Sequence, residues 1–244
     1  MNTVKRAIIM AAGKGERLAP VTFDKPKPLV EVNGVRMIDT IIDGLKANGI
    51  HEIYIVTGYM MEMFHELYDK YPDIHLISNQ FYTEYNNISS LYAAKNILKQ
   101  GDCMILDGDL VIRDNKILHA DFERSGYSAI WTEEKTDEWL MQVDEEGTVT
   151  SCSRTGGDKG WILFSISRWS KEDCIKLKKY LEYEFDHAGN RHLYWDDVAM
   201  FRHFDKFSLG ITPMNRGDVV EIDSFNELVA ADKSYEGYKP HVKR

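Results

Sequence analysis

Between Ala11 and Leu18 the chain reads AAGKGERL, directly after the apolar run Ala7 to Met10. A glycine-rich turn behind a buried strand lets backbone N–H groups approach an anion that a Cβ would hold away. Ala11, Ala12, Gly13, Lys14, Gly15 and Arg17 are therefore candidate phosphate-binding residues, the alternative being an ordinary tight bend between a strand and a helix. A dinucleotide fingerprint needs glycine at the last position of GxGxxG, which here is Leu18. A Walker loop needs GxxxxGK followed by Ser or Thr, and no such string occurs. Further along, Arg17 and Lys27 stand on a polar loop, where cations can neutralise charge spread over the oxygens of a phosphorus undergoing displacement. Pro26 and Pro28 stiffen that loop on either side of Lys27. In LDGDL, residues 106–110, Asp107 and Asp109 close an apolar run. Carboxylates at the carboxyl end of a parallel strand face the crevice where open α/β sheets bind ligands; otherwise they shape a turn.

Short apolar runs alternate with helix-period segments, the pattern of parallel strands joined by crossover helices. Strands are predicted at 7–12, 53–56, 74–78 and 103–107, with helices from Met37 to a stop at Asn48 and Gly49, over 60–70 and over 88–98. After Asp109 the pattern becomes more antiparallel: strands at 127–132, 139–143, 149–152 and 161–167, the second and third of these joined by a turn at Glu145, Glu146 and Gly147. A helix over 171–185 is capped by Ser170, a shorter one covers 197–204, and a last strand runs 219–223. Ser224 and Glu227 form a capping box opening a helix over 224–232. The expected fold is a single α/β domain over 1–244, Rossmann-like, with a mixed, mostly parallel sheet flanked by helices. Its halves are about 1–110 and 111–234, with a frayed tail over 235–244.

With 30 Lys and Arg against 39 Asp and Glu, the formal charge of −9 argues against a nonspecific nucleic-acid binder, which needs a basic field. No apolar run approaches the roughly 18–20 residues needed to span a bilayer, so no membrane partner and a cytoplasmic location are expected. Cys103, Cys152 and Cys174 are well separated and form no CxxC, and the eight histidines contain no HExxH.

Read past Leu18, the opening stretch becomes GKGERLAPVT followed by DKPKPLV. The string GxGxRxxPxT with a KPKPL segment behind it resembles the signature of the nucleotidyltransferases that make sugar nucleotides and related activated compounds. In that superfamily the glycine loop wraps a triphosphate, and the resemblance implies phosphate contacts for Gly13, Gly15, Arg17 and Lys27. It also implies magnesium on Asp109, with a distant partner at the end of a late strand, where VVEIDS supplies Asp223 with Glu221 beside it. Two aspartates suffice, because Mg2+ takes one or two carboxylates plus substrate phosphates and water.

Three further segments, TDEWLMQV (136–143), LYWDD (193–197) and YNNISSLY (85–92), resemble the CTP:phosphocholine cytidylyltransferases, and the likeness runs from about residue 5 to 230. It implies an acceptor pocket of Trp139, Tyr194, Trp195, Asp196 and Glu221, and a base-reading segment in which Asn86, Asn87, Ser89 and Ser90 either meet the pyrimidine or cap a helix. A trimethylammonium donates no ordinary N–H hydrogen bond and must be held by aromatic faces and negative charge, at about 2 kcal/mol per desolvated ring contact. The implied reaction is Mg2+-dependent transfer of CMP from CTP to phosphocholine by a monomer or homodimer, giving CDP-choline and pyrophosphate for choline decoration of surface glycans. The alternatives are the same reaction on phosphoethanolamine, 2-aminoethylphosphonate or a sugar 1-phosphate, and an inactive nucleotide-binding regulator.

Overall fold

Every residue of β1 (Arg6–Ala11) after Arg6 is buried, as consecutive apolar positions require of a parallel strand covered on both faces. The computed structural model that shows this describes residues 1–241. β2 (Glu52–Thr57) pairs in parallel with one side of β1, and β3 (His75–Ser78) pairs in parallel with β2. On the other side of β1 lies β4 (Cys103–Asp107), also parallel, with Met10 level with Asp107. That register sets the glycine loop after β1 beside the LDGDL turn after β4.

β5 (Leu110–Ile112) leaves this sheet. β6 (Gly126–Thr132), β7 (Leu140–Val143), β8 (Val149–Ser153) and the long β9 (Gly160–Trp169) form the antiparallel half. The order is β8-β7-β9-β4-β1-β2-β3, with β6 on β9 and β10 (Gly210–Pro213) parallel to β6. β9 joins the two halves: Ile162 pairs with Leu140, and Ile166 pairs with Leu106 of β4. β11 (Val219–Glu221) pairs with β5, Glu221 opposite Leu110, which carries the VVEIDS segment to the mouth of LDGDL.

α1 (Met37–Ala47) buries Ile38, Ile41, Ile42 and Leu45 and stops at Asn48, with Gly49 at φ +77°. The expected helix over 88–98 is two, α2 (Ile88–Ala93) and α3 (Lys95–Leu98), separated by Ala94 at φ −91°, ψ 3°. Residues Met61–Asp69 wind as a 3-10 helix. α4 (Lys171–Glu182) starts at the Ser170 cap and passes into a wider π-type turn, Tyr183–His187; a second such turn, Val198–Arg202, replaces the expected helix over 197–204. α5 (Phe225–Ala231) carries the complete Ser224–Glu227 capping box. The last strand is shorter than expected, so Asp223 sits in the turn between β11 and α5.

A small apolar core joins the loop to the C-terminal segment: Leu18, Val21, Val30, Met37, Ile222 and Leu228 pack together, with Leu18 fully buried. The position where a dinucleotide fold needs glycine is thus an anchor in this core. Residues 235–241 are not frayed. The Tyr235 hydroxyl donates to the Glu31 carbonyl at 2.8 Å, the Tyr238 hydroxyl donates to Asp24, and Tyr238 packs against the same core. Residues 242–244 lie outside the described residues. Among the described residues no helix is long and apolar enough to cross a membrane.

Candidate active site

Gly13 and Gly15 differ in what they do. A Cβ added at Gly13 would meet nothing within 4 Å, so its backbone faces open space. Gly15 has φ +62°, and an added Cβ would lie 2.9 Å from Lys27 Cβ and 3.1 Å from Thr22 Cγ2. Only glycine lets the loop turn here and still press against the lysine. Thr22 closes the turn by donating to the Gly15 carbonyl at 3.1 Å, and the Tyr59 hydroxyl donates to the Thr22 carbonyl at 2.8 Å. The result is a cavity of about 500 Å³ lined by the loop, Lys27, Pro28, Asp109 and Asp223, with Tyr82 and Thr83 also on its wall.

Lys27 is 7% exposed and bridges two carboxylates, Asp109 at 2.7 Å and Asp223 at 2.9 Å. Burial works against its ammonium, but Asp109 and Asp223 together outweigh that and hold its pKa above the ordinary lysine value. Arg17 reaches the same Asp223 oxygen at 3.0 Å. Arg17, Lys27, Asp109 and Asp223, separated by up to about two hundred positions in the chain, therefore meet in one place.

This group is rich in unbalanced negative charge. Desolvation first, then the charges of Asp109 and Asp223, push the Glu221 carboxyl up to about 8. Asp107 is raised well above the usual carboxylate range by burial, and next by Asp109 and Asp196. Oxygens of Asp109, Glu221 and Asp223 lie within 4.8 Å of one another, and Asp109 Oδ1 is buried with no hydrogen-bond partner. An all-oxygen set with a spare buried acceptor fits a hard divalent cation such as Mg2+.

The residues expected to hold the acceptor separate into two groups. Asp196 is buried next to the Tyr127 hydroxyl, and its pKa is pushed up to about 7 by desolvation, against the pull of Tyr127. Trp139 lies edge-on to Tyr194, with centroids 5.9 Å apart, and to Phe201 at 5.3 Å. Trp195 corrects the expectation. At 1% exposure its ring lies in the core between Tyr127 and Trp169 and presents no exposed face. The loop carrying these residues is tied down by the buried Glu184 carboxylate, which meets His203 Nε2 at 2.8 Å and accepts from Asn190. Sequence reasoning missed Tyr127, Phe201 and Arg154; each looks like an ordinary strand, helix or loop residue until the chain folds.

The YNNISS segment is largely committed to structure. Asn79 donates to both Ser89 Oγ and Ser90 Oγ, at 2.9 and 3.0 Å, inside the protein. Asn87 Oδ1 accepts from the Trp195 backbone N–H at 2.8 Å, and Asn86 Oδ1 accepts from the Asn87 N–H. These residues brace the segment that carries Trp195 and Asp196 against the start of α2. Tyr82 and Thr83, in the loop between β3 and α2, are the residues of this region that line the cavity. An aromatic and a hydroxyl in a polar loop after a strand were the available signal.

A glycine loop with two cations, set at the carboxyl ends of parallel strands over a cluster of carboxylates, is the apparatus of nucleotidyl transfer. The nucleotidyl transferase family matches residues 6–150, and the chain belongs to that family. It is 38% identical to a 2-aminoethylphosphonate cytidylyltransferase of Lancefieldella rimae over 94% of this chain and 92% of that protein. It is 31% identical to a choline-phosphate cytidylyltransferase of Streptococcus pneumoniae over 91% of this chain and 94% of that one. A solved structure of CTP:phosphocholine cytidylyltransferase from S. pneumoniae superposes with a TM-score of 0.86 at 31% identity, covering 95% of this chain and 99% of that chain.

Proposed function

We propose that the protein transfers CMP from CTP to the phosphonate or phosphate oxygen of a small primary amine, 2-aminoethylphosphonate or phosphoethanolamine, releasing pyrophosphate. The observation that carries this choice of acceptor is the buried Asp196 carboxyl, set beside the Tyr127 hydroxyl and near enough to Asp107 to act on its charge. A primary ammonium donates three hydrogen bonds and satisfies such oxygens, and its charge favours the ionised form that burial opposes. A trimethylammonium donates none, and the ring of Trp195 is not available to it. The relatives that extend over nine-tenths of the chain support CTP as donor and a small phosphorus-bearing amine as acceptor.

In this reading the triphosphate lies along the loop from Gly13 to Arg17, and the acceptor oxygen attacks the α-phosphorus in line as the bond to the pyrophosphate oxygen breaks. Lys27 and Arg17 stabilise the charge that develops on the phosphates. Mg2+, held by Asp109 and Asp223, would add charge neutralisation on the same oxygens. No covalent enzyme intermediate is needed. Burial holds the thiols of Cys103 and Cys174 protonated, which suits a structural role.

One observation favours phosphocholine as a second reading: the Trp139 and Tyr194 rings stand at right angles beside the acidic loop. Pyrophosphate release with CTP against 2-aminoethylphosphonate, phosphoethanolamine, phosphocholine and glucose 1-phosphate separates the readings. The expected order places both primary amines first, with all turnover lost on chelation by EDTA and restored by Mg2+. A higher kcat/KM for phosphocholine than for either primary amine would overturn the choice of acceptor.

A further inference from the structure

The aromatic and acidic box that could hold a quaternary ammonium already contains a cation. Arg154, on the loop from β8 to β9, places its guanidinium carbon 4.1 Å from the Phe201 ring centroid and 5.5 Å from that of Trp139. Its Nη2 pairs with Asp197 Oδ1, and the other Asp197 oxygen accepts from the Tyr194 N–H at 3.0 Å. Asp197 is 1% exposed, so this pair is shielded from water on the carboxylate side. Both distances to the rings fall within the range over which a cation is attracted to an aromatic face. Guanidinium is planar and weakly hydrated, so it stacks where an ammonium would not.

We propose that Arg154 is a specificity-determining residue, an internal cation that occupies the Trp139–Phe201–Asp197 box and so excludes acceptors whose amine is quaternary. This rests on the reading of the site as one for a primary amine. A trimethylammonium entering the box must displace the guanidinium from two rings and a buried carboxylate. A primary ammonium bound at Asp196 and Tyr127 leaves that arrangement intact.

The test compares wild type with Arg154→Gln and Arg154→Met, measuring KM and kcat for phosphocholine and for 2-aminoethylphosphonate. Both substitutions remove the charge; Arg154→Met keeps an unbranched chain against the rings, and it serves where the first variant does not fold. In a folded variant the phosphocholine KM is expected to fall about tenfold, with no fall for 2-aminoethylphosphonate. An unchanged phosphocholine KM, within about twofold, in the folded variants overturns the proposal. Wild-type preference for phosphocholine would instead sink the choice of acceptor, and the change in phosphocholine KM on substitution would still decide the role of Arg154.

Discussion

The two halves of the site are built differently. The phosphate half is built around contacts within residues 11–27, where Gly15 turns against Lys27 and Thr22 closes the loop; Asp109 and Asp223 join it from far along the chain, and Tyr82 and Thr83 complete the wall. The acceptor half draws Tyr127 from β6, Trp139 from the approach to β7, Arg154 from the loop before β9, and Asp196 and Asp197 from the segment after α4. A short rigid loop suits a triphosphate common to many enzymes, whereas a pocket made from several separate elements can change its acceptor one residue at a time.

The sharpest way to break this division is Lys27→Ala. It removes the one buried cation between Asp109 and Asp223 and a source of charge neutralisation on the phosphates. A fall in kcat of about 10²- to 10³-fold is expected with every acceptor alike, measured as pyrophosphate release. A fall confined to one acceptor would show that Lys27 belongs to the other half.

Gly15→Ala is expected to cost about 1–3 kcal/mol of stability, because alanine is strained at φ +62° and its Cβ meets Lys27. Denaturant unfolding measures this, and the CTP KM should rise while the acceptor KM holds.

Asp196→Asn tests the acceptor half alone. Loss of a charge-assisted hydrogen bond to the amine should raise the acceptor KM by roughly tenfold or more and leave the CTP KM nearly unchanged. Stability should move the other way. With Asp196 pushed up to about 7, the folded state holds a proton that the unfolded state has lost between about pH 4 and 7. Stability therefore declines as pH rises through that window, and the variant, free of the burden, should have a higher Tm than wild type at pH 8 but not at pH 4.

How much of this was legible followed from how local each feature is. The loop could be read because its residues act within one turn of chain, and Leu18 excluded a dinucleotide site for a reason the fold makes plain: it fills a core that glycine would leave empty. The capping box at Ser224 and the stop at Gly49 are equally local. Trp195 could not be placed, since Asp196 and Asp197 follow it in the chain while its neighbours in space are Tyr127 and Trp169. β10 escaped notice because Gly210 and Pro213 bound a run too short to alternate, and its partner lies some eighty residues earlier. Arg154 gave no signal, because what surrounds its guanidinium comes from two distant segments, around Trp139 and around Asp197 to Phe201.

β9 has ten residues, and near its C-terminal end Ser167 stands between Tyr127 of β6 and Ile105 of β4. Two strand spacings, roughly 9–10 Å, thus separate β4, which ends at Asp107, from β6, which carries Tyr127. A hydrogen-bonded ladder does not stretch. Under the proposed function, the sheet would act as a ruler laid between the two ends of the acceptor, selecting the length of the linker between phosphorus and nitrogen as well as the chemistry of the nitrogen.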